Sequence, residues 1–381
     1  MQSADESQSN STKTYTDSLL ALGQSSGLHK VGVARADILH RALDALNDRK
    51  LQGLHNQMQF TYRNPTRSTD PTKTLPSAKS VIVGALSYSS KTPEKEPGDK
   101  YPARIARYVW SDYYEQLRKS LRQVAGQLEA DGYRGVVLAD DNSIVDREVA
   151  YQAGLGWFGK NSNLLISGAG SYFVLGCIIT DAVLTPAVAP VVDGCGSCRR
   201  CFDNCPTDAI VAPGMIDANK CLAWLLQKPG VFDRRFRVAL GDRLYGCDDC
   251  QEVCPPTVRH DKNFMLGESE LTVGRPKAWV SVVKILTAND ETLLADYGVW
   301  YIANREPRWL RRNALIILGN IGENSDEVVV DLLRNYLIHA DPMLRAHAVW
   351  ATARLGLNHL LPRSDDDELV KAELQALPSV R

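Results

Sequence analysis

Four cysteines near the middle of the chain follow a spacing that few folds can accommodate. The pattern C-x2-C-x2-C-x3-C, with Pro206 directly after it, is formed by Cys195, Cys198, Cys201 and Cys205. In bacterial two-cluster ferredoxins this spacing places three thiolates on one [4Fe-4S] cluster and the fourth on a second cluster. Structural zinc sites use paired knuckles that close one tetrahedron, so a run of four cysteines ending in Cys-Pro does not match them. The run therefore predicts iron–sulfur clusters.

A second, incomplete run of the form C-x2-C-x3-C-P contains Cys247, Cys250 and Cys254. When the two Cys-Pro ends are aligned, Cys195 has no partner in the second run, and Cys221 is the best remaining candidate. Cross-ligation then predicts one cluster bound by Cys195, Cys198, Cys201 and Cys254. The same scheme predicts a second cluster bound by Cys205, Cys221, Cys247 and Cys250. The ninth cysteine, Cys177, lies in an apolar segment and is expected to be a buried thiol.

The composition is that of an ordinary globular protein, with a formal net charge of −1 over 381 residues. No apolar stretch approaches the length needed to cross a bilayer. The polar first twelve residues contain no secretory signal and no twin-arginine pair, which favours a cytoplasmic protein without a membrane partner. In that reducing compartment clustered cysteines are expected to bind metal rather than to form disulfides. We expect a monomer.

Four consecutive segments are predicted along the chain: a disordered lead-in over residues 1–13, an α/β domain over 14–190, a ferredoxin-type domain over 191–265 and a helical domain over 266–381. In the α/β domain, residues 80–86 and 171–179 are β-branched and apolar, as in buried strands. Residues 113–130 carry apolar side chains at helical spacing among charged ones.

The helical domain contains an internal repeat, because the sequence Leu-Arg-Arg-Asn-Ala at 310–314 recurs as Leu-Arg-Ala-His-Ala at 344–348. Two matching helices of this kind predict a short HEAT-like array with a ridge of side chains along one face. The arginines of that ridge are Arg308, Arg311, Arg312 and Arg345. A solvated, salt-bridged face and a binding surface for a polyanion are both open interpretations.

Two motifs lie between the predicted strands. Residues 154–159 satisfy G-x-G-x-x-G, but a helix is predicted before them and an extended segment after them, which is the reverse of a dinucleotide fingerprint. A tight turn is the better interpretation. Just upstream, Asp140 and Asp141 follow an apolar run. Their composition favours helix capping over a role as a proton donor.

These motifs together resemble the epoxyqueuosine reductases, a family of cobalamin- and iron–sulfur-dependent enzymes of tRNA modification. The resemblance spans nearly the whole chain and is strongest over residues 153–161, 195–210 and 246–255. It implies a cobalamin-binding α/β domain, two [4Fe-4S] clusters that reduce the cofactor, and a HEAT-like domain at the end. The implied reaction converts epoxyqueuosine to queuosine at the wobble position of a tRNA anticodon, with electrons from an external donor.

The resemblance also implies site residues. The family's acid is an aspartate seven residues before an arginine, and counting back from Arg147 places it at Asp140, with Asp141 left for capping. Family members usually have a small residue where this chain has Asp141. That neighbour would raise the pKa of Asp140 through like-charge repulsion, or it would signal another substrate. Cobalamin contacts are expected at Arg67, Asn161, Ser162, Leu164 and Ala223, and tRNA contacts at the four ridge arginines.

Two other classes remain open on the sequence. The first is a corrinoid and iron–sulfur reductase with a different substrate, as in reductive dehalogenases, whose respiratory members usually carry a twin-arginine signal that this chain lacks. The second is a non-catalytic, ferredoxin-type electron carrier. A carrier would not need the long segment that precedes Cys195.

Overall fold

The protein is described by a computed structural model that covers residues 2–266 and 277–377. The chain forms two units. Unit 1 comprises Met1–Lys91, Ser111–Asn219 and Asp249–Val273, and unit 2 comprises Thr92–Trp110, Lys220–Asp248 and Gly274–Arg381. Both units contain parts of the cysteine segment for which the sequence predicted one domain over 191–265. The three predicted domain boundaries stay predictions.

The strands are, in chain order, β1 (Lys30–Arg35), β2 (Ser80–Ser87), β3 (Pro102–Ile105), β4 (Gly135–Ala139), β5 (Trp157–Phe158), β6 (Leu164–Leu165), β7 (Phe173–Thr180), β8 (Ile210–Ala212), β9 (Met215–Ile216), β10 (Arg243–Tyr245) and β11 (Trp279–Ser281).

The helices are, in chain order, α1 (Gln2–Ser25), α2 (His40–Leu51), α3 (Pro65–Ser68), α4 (Tyr113–Ala130), α5 (Asp146–Gln152), α6 (Arg200–Asp203), α7 (Leu222–Leu225), α8 (Arg234–Leu240), α9 (Asp249–Glu252), α10 (Pro255–Leu266), α11 (Val282–Thr287), α12 (Asp290–Tyr297), α13 (Arg308–Ile321), α14 (Glu327–Leu337), α15 (Pro342–Arg354) and α16 (Glu368–Gln375).

Unit 1 is built on a four-stranded sheet in the order β1-β2-β7-β4, and every neighbouring pair is antiparallel. The two strands predicted from β-branched runs are β2 and β7, and they lie side by side at its centre. Both are almost entirely buried, because helices cover both faces. The mixed α/β class predicted for this part of the chain is confirmed.

Helix α4 covers one face of this sheet, and the bounds predicted for it are confirmed. Its apolar stripe is fully buried, and Leu121 lies over a cross-strand pair of glycines, Gly84 and Gly176. A Cβ atom at Gly84 would lie 3.2 Å from Leu121 Cδ2, and one at Gly176 would lie 2.9 Å from Leu121 Cδ1. The absence of side chains at this pair thus lets the helix approach the strands closely.

Helix α5 packs on the other face, where Val149 and Ala150 join a core with Val81, Val83 and Cys177. Cys177 is fully buried, as predicted, and burial raises the pKa of its thiol. Helix α5 begins immediately after the 140–145 loop, so the sheet and this helix together fix both ends of that loop.

The disordered lead-in predicted for residues 1–13 is not observed, because α1 runs from Gln2 to Ser25. Its later turns are anchored to the unit, since Leu19 and Thr16 are buried and the Tyr15 hydroxyl donates to Asp131 at 2.7 Å. Once those turns are packed, adding residues at the N-terminal end needs no new nucleus. The polar composition that suggested disorder is compatible with such an extension. Met1 lies outside the described residues.

Unit 2 contains a three-stranded sheet in the order β10-β3-β11 and the helices from α11 onward. The two repeated sequences fall in α13 and α15, which pack against each other. The prediction of two matching helices is confirmed. Among residues 2–266 and 277–377, no helix is long and apolar enough to cross a bilayer.

Candidate functional site

Unit 1 contains the four cysteines predicted to bind the first cluster. Burial raises the pKa of the Cys201 thiol, and the nearby Cys254 and Cys195 raise it further. Burial also raises the pKa of Cys254, a hydrogen bond from Thr257 opposes that shift, and Cys195 and Cys198 add to it. Charge effects of this kind act only between neighbouring groups, so the four cysteines of the predicted set lie near one another.

The eight predicted cluster ligands are free thiols. All nine cysteines lie in the described part of the chain and are free. In a cubane each cysteine binds a different iron, so the four thiols of one set must be neighbours but do not have to converge on one point.

The turn after β5 supports the cysteine segments. Lys160 Nζ donates to the carbonyl oxygens of Gly196, at 2.6 Å, and Cys198, at 2.9 Å. The G-x-G-x-x-G segment at residues 154–159 follows helix α5 and leads into strand β5, which is the reverse of the order in a dinucleotide fingerprint and confirms the prediction of a tight turn. A Cβ atom at Gly156 would lie 2.1 Å from the Leu165 carbonyl oxygen, which shows that this glycine serves close packing of the β5–β6 hairpin.

The second predicted ligand set is divided between the units. Cys205 and Cys250 belong to unit 1, and Cys221 and Cys247 belong to unit 2. Cys205 Sγ accepts a hydrogen bond from the Ala209 amide at 3.2 Å, a contact of the kind that tunes cluster thiolates. Cys221 is the residue before α7. This ligand set stays a prediction.

Asp140 follows directly on β4 and has a left-handed backbone conformation, with φ at +56°. Aspartate tolerates this region better than most residues, but the conformation is still uncommon and carries strain. The loop after it is held by short polar contacts. Asp141 Oδ1 accepts from the Ser143 amide at 2.7 Å, and the Ser68 hydroxyl donates to the Asn142 carbonyl at 2.5 Å. Asp141 thus stabilises the turn, but the capping role predicted for it is wrong, because the N-cap residue of α5 is Val145 and no described side chain caps this helix.

The Asp140 carboxyl remains accessible to solvent, and it makes no hydrogen bond to any residue that the structure describes. Partial desolvation by the surrounding protein raises its pKa. The positive charge of Arg118 opposes that shift, and the negative charge of Asp141 adds to it. Asp140 is therefore a carboxyl with a raised pKa and with its bonding capacity still available, as a proton donor requires.

Asp146, at the start of α5, is a second carboxyl of interest that the sequence analysis missed. Its Oδ1 is buried and has no hydrogen-bond partner among the described residues. Burial raises its pKa well above the usual value, and the charge of Asp140 adds to the effect. An acid in the first turn of a helix is common, so no pattern around Asp146 singled it out.

Four of the five residues expected to contact cobalamin lie in unit 1. Arg67 is exposed, and its Nη2 donates to Ser143 Oγ at 3.0 Å, which places the guanidinium beside the Asp140 loop. Ser162 has φ at +66° and its hydroxyl donates to the Gly214 carbonyl at 2.7 Å. Leu164 is buried in β6.

The side chain of Asn161, the fourth, is buried and occupied by protein contacts. Its Nδ2 donates to the Cys250 carbonyl at 3.3 Å, and its Oδ1 accepts from the Asn163 amide. Ala223 belongs to α7 of unit 2. Among the four residues of unit 1 expected to contact cobalamin, the side-chain donors left for a large ligand are therefore those of Arg67.

The four arginines predicted for the ridge are not all exposed. Arg312 is only 1% exposed, so its assignment as a tRNA contact is wrong. The Arg311 side chain, 12% exposed, pairs with Asp290, and that of Arg345, 17% exposed, pairs with Asp365. Arg308 is 37% exposed and pairs with Asp341. The interpretation as a salt-bridged face holds for three of the four, and burial excludes the fourth.

Comparison with known proteins gives two family matches. A family described as epoxyqueuosine reductase QueG, DUF1730 matches residues 68–141. A family described as a 4Fe-4S double cluster binding domain matches residues 194–257, which include all eight predicted ligands. The prediction of two [4Fe-4S] clusters is confirmed.

Relatives and solved structures agree over most of the chain. The epoxyqueuosine reductase of Bacillus cereus is 30% identical over 368 residues, covering 92% of this chain and 94% of the relative. That of Vibrio cholerae is 32% identical over 339 residues, covering 85% and 88%.

Two structures match with a TM-score of 0.83, each covering 95% of this chain and 97% of the other. One, at 27% identity, is an epoxyqueuosine reductase with an epoxyqueuosine-modified tRNA-Tyr stem loop, and the other, at 28%, is the Bacillus subtilis enzyme with an aspartate catalytic loop swung out of its active site. The cysteine clusters, the sheet with its aspartate loop and these similarities lead to one conclusion. The chain belongs to the epoxyqueuosine reductase family.

Proposed function

We propose that this protein reduces epoxyqueuosine to queuosine at the wobble position of a tRNA, and that Asp140 is the proton donor. The observation that carries the second part is the state of this carboxyl. It is accessible, it has a raised pKa, and it makes no hydrogen bond to a described residue. Backbone strain at the same residue supports a functional role, since strained residues cluster at active sites.

The reaction fixes what the protein must supply. The epoxide C–O bonds break, the oxygen leaves as water, and the substrate takes up two electrons and two protons. Asp140 would give one proton to the departing oxygen, and solvent would provide the other. A raised pKa keeps this carboxyl protonated at a higher pH than an ordinary aspartate, and an accessible side chain can be reprotonated after each turnover.

The two clusters would deliver the electrons one at a time from an external donor. We assign Cys195, Cys198, Cys201 and Cys254 to one cluster, supported by their mutual charge effects in unit 1. We assign Cys205, Cys221, Cys247 and Cys250 to the other, supported by the crossed ferredoxin spacing.

Cobalamin would supply a reduced cobalt that acts on the strained C–O bond. In the chain itself, Arg67 fits a contact with this cofactor, because it lies beside the Asp140 loop and has guanidinium donors to spare. Ser162 and Leu164 could contribute backbone groups and apolar surface. The Asn161 side chain would instead maintain the turn next to Cys250.

Recognition of tRNA would involve the helical tail, whose repeated helices α13 and α15 we interpret as HEAT-like. Arg308 is the most exposed of the four predicted arginines and remains the candidate for a phosphate contact. The relative solved with a modified tRNA stem loop supports this substrate class. Cytoplasmic location, a monomeric state and dependence on an external electron donor stay predictions from the sequence.

The test is mass spectrometry of wobble nucleosides from cells that lack this protein. Epoxyqueuosine should accumulate, and re-expression of the wild-type chain should restore queuosine. Expression of Asp140→Asn should not restore it, although the variant should retain the iron content of the wild type. A queuosine level unaffected by the deletion would overturn the assigned substrate. Restoration by Asp140→Asn would remove Asp140 as the acid.

A further inference from the structure

Arg312 lies in the middle of α13 and is one of the largest fully buried side chains of the protein. Burial, and to a lesser extent the charge of Arg237, lowers its pKa to about 9. Among the described residues, all of its hydrogen bonds go to neutral oxygens. A buried cation whose described partners are all neutral costs free energy, which these hydrogen bonds must offset.

Its partners are backbone carbonyls of one short segment that follows Cys221. Nη1 donates to Lys228 O at 2.6 Å and Gly230 O at 2.8 Å. Nη2 donates to Leu225 O at 3.1 Å and Leu226 O at 3.2 Å. Helix α7 has only four residues, so its last carbonyls cannot be satisfied within the helix. Arg312 therefore caps the C-terminal end of the helix that follows Cys221.

Asn313, the next residue of α13, connects this segment to a second one. Its Oδ1 accepts from Arg312 Nε at 3.0 Å and Nη2 at 2.9 Å. Its Nδ2 donates to Leu226 O at 2.9 Å and to Leu244 O at 3.1 Å. The side chain is completely buried. One amide thus joins the chain after Cys221 to β10, which ends two residues before Cys247.

The far side of the Cys247 segment is fixed as well. The Ala106 amide donates to Tyr245 O at 2.8 Å, and the Arg107 amide donates to the Asp248 carboxylate at 2.6 Å. A Cβ atom at Gly246 would lie 2.4 Å from Ala106 Cβ, so this glycine allows close contact between the two strands. Asn313 on one side and residues 105–107 on the other leave the Cys247 segment little freedom.

We infer that Arg312 and Asn313 are positioning residues for an iron–sulfur cluster, because they set the spacing between the segments that carry Cys221 and Cys247. The inference rests on the ligand set proposed above. A cluster needs its thiolates held at fixed separations, and two ligands on different segments keep that separation only if the segments are tied together. The helical tail is in this way part of the cluster site and not only a docking surface.

The experiment compares two asparagine variants on the same helix. Asn313→Asp keeps an acceptor for Arg312 but removes the two donors to Leu226 and Leu244. Asn320 is the matched control, since its Nδ2 also donates to two carbonyls, those of Arg237 and Gly241, on a segment without cysteines. Asn320→Asp therefore removes the same kind of link on a segment that contains no predicted ligand.

Both variants are purified anaerobically as full-length protein, and iron content and the electron paramagnetic resonance of the reduced clusters are measured. In Asn313→Asp, iron per chain should fall by about half and one of the two cluster signals should be lost or shifted. Asn320→Asp should keep the iron content and both signals of the wild type. The unfolding temperature of each variant is measured in parallel, so that a general loss of stability is recognised.

Wild-type iron and signals in Asn313→Asp would overturn the inference, and so would an equal loss in both variants. If Asn313→Asp does not accumulate as folded protein, Asn313→Ser provides the second measurement, because its shorter side chain can reach at most one of the two carbonyls. A wild-type protein without two cluster signals would instead refute the proposed ligand sets. Neither readout depends on turnover of the tRNA substrate.

Discussion

Asp140 in unit 1 and Arg312 in unit 2 are both charged side chains with a shifted pKa, but they differ in every other respect. Asp140 is accessible, strained in its backbone and without a hydrogen bond to a described residue. Arg312 is buried and donates to four carbonyls and one side-chain amide. The family resemblance assigned both to contacts with a partner outside the chain.

The difference separates a group that can react from a group that holds the chain together. A side chain whose hydrogen-bonding capacity is already used offers little to a substrate, whatever its charge. A side chain that keeps its capacity at some cost in strain is better suited to act on one. Variants that remove the Asp140 carboxyl should therefore lower activity alone. Variants that remove the Arg312 guanidinium should lower the stability of the fold.

The largest expected effect is on turnover. Asp140→Asn should lower kcat by about 10²–10⁴-fold, the usual contribution of a general acid. The unfolding temperature should stay within error of the wild type, because asparagine also tolerates a positive φ and no described hydrogen bond is lost. Anaerobic assays with epoxyqueuosine-containing tRNA and thermal unfolding measure the two quantities. A variant that is destabilised as well as inactive would break the comparison, since Asp140 would then be structural.

The next effect concerns stability, and it compares two arginines of α13. Arg312→Met should lower the free energy of unfolding by about 3 kcal/mol or more, since each buried carbonyl left without a donor costs about 1–3 kcal/mol. Arg308→Met should change it by less than about 1 kcal/mol, because a half-exposed ion pair contributes little. Denaturant unfolding of unit 2, followed by tryptophan fluorescence, measures both. Similar losses of unfolding free energy in the two variants would contradict the distinction between the buried Arg312 and the half-exposed Arg308.

The pH dependence of turnover gives a smaller effect with a defined sign. Asp140 acts in its protonated form, so activity should fall as the pH rises through its pKa. Asp141→Asn removes a negative neighbour that raises this pKa, and the fall should move to lower pH. Arg118→Gln removes a positive charge that lowers it, and the fall should move to higher pH. Profiles of kcat against pH check the directions, and shifts of the same sign in both variants would exclude Asp140 as the titrating group.

The smallest effect is expected at Asp146, which combines burial with an unsatisfied oxygen. Its folded-state pKa is raised above the unfolded value, so the stability associated with its neutral form is complete below the unfolded pKa and is lost as the pH rises through the folded one. Asp146→Asn cannot ionise, so the difference between its unfolding temperature and that of the wild type should change in favour of the variant as the pH increases. If the difference in unfolding temperature does not change with pH, the buried Oδ1 of Asp146 already has a hydrogen-bond partner.

Much of unit 1 could be predicted because its signals are local. The cysteine spacing, the apolar runs of β2 and β7 and the amphipathic stripe of α4 each identify an element without knowledge of the rest of the chain. Asp140 was different. Its composition favoured a cap, and only the family resemblance indicated the catalytic role that the pKa and accessibility now support.

The burial of Arg312 could not be predicted from an isolated arginine, but a signal was present around it. The residues from Ala314 to Leu318 are all apolar and buried, so α13 is surrounded by protein on most sides and its polar residues must lie inside as well. Asp146 offered no comparable signal. Its burial depends on how the loop from Asp140 enters α5, which is a property of the tertiary structure alone.

The dependence of α7 on Arg312 also has a consequence for the order of assembly. A helix of four residues does not form by itself, since nucleation alone costs more than its few hydrogen bonds return. The segment that follows Cys221 can therefore take its final shape only after α13 has folded, and α13 begins 87 residues after Cys221 (308 − 221). With the ligand set proposed above, iron loading of that segment would follow synthesis of the tail.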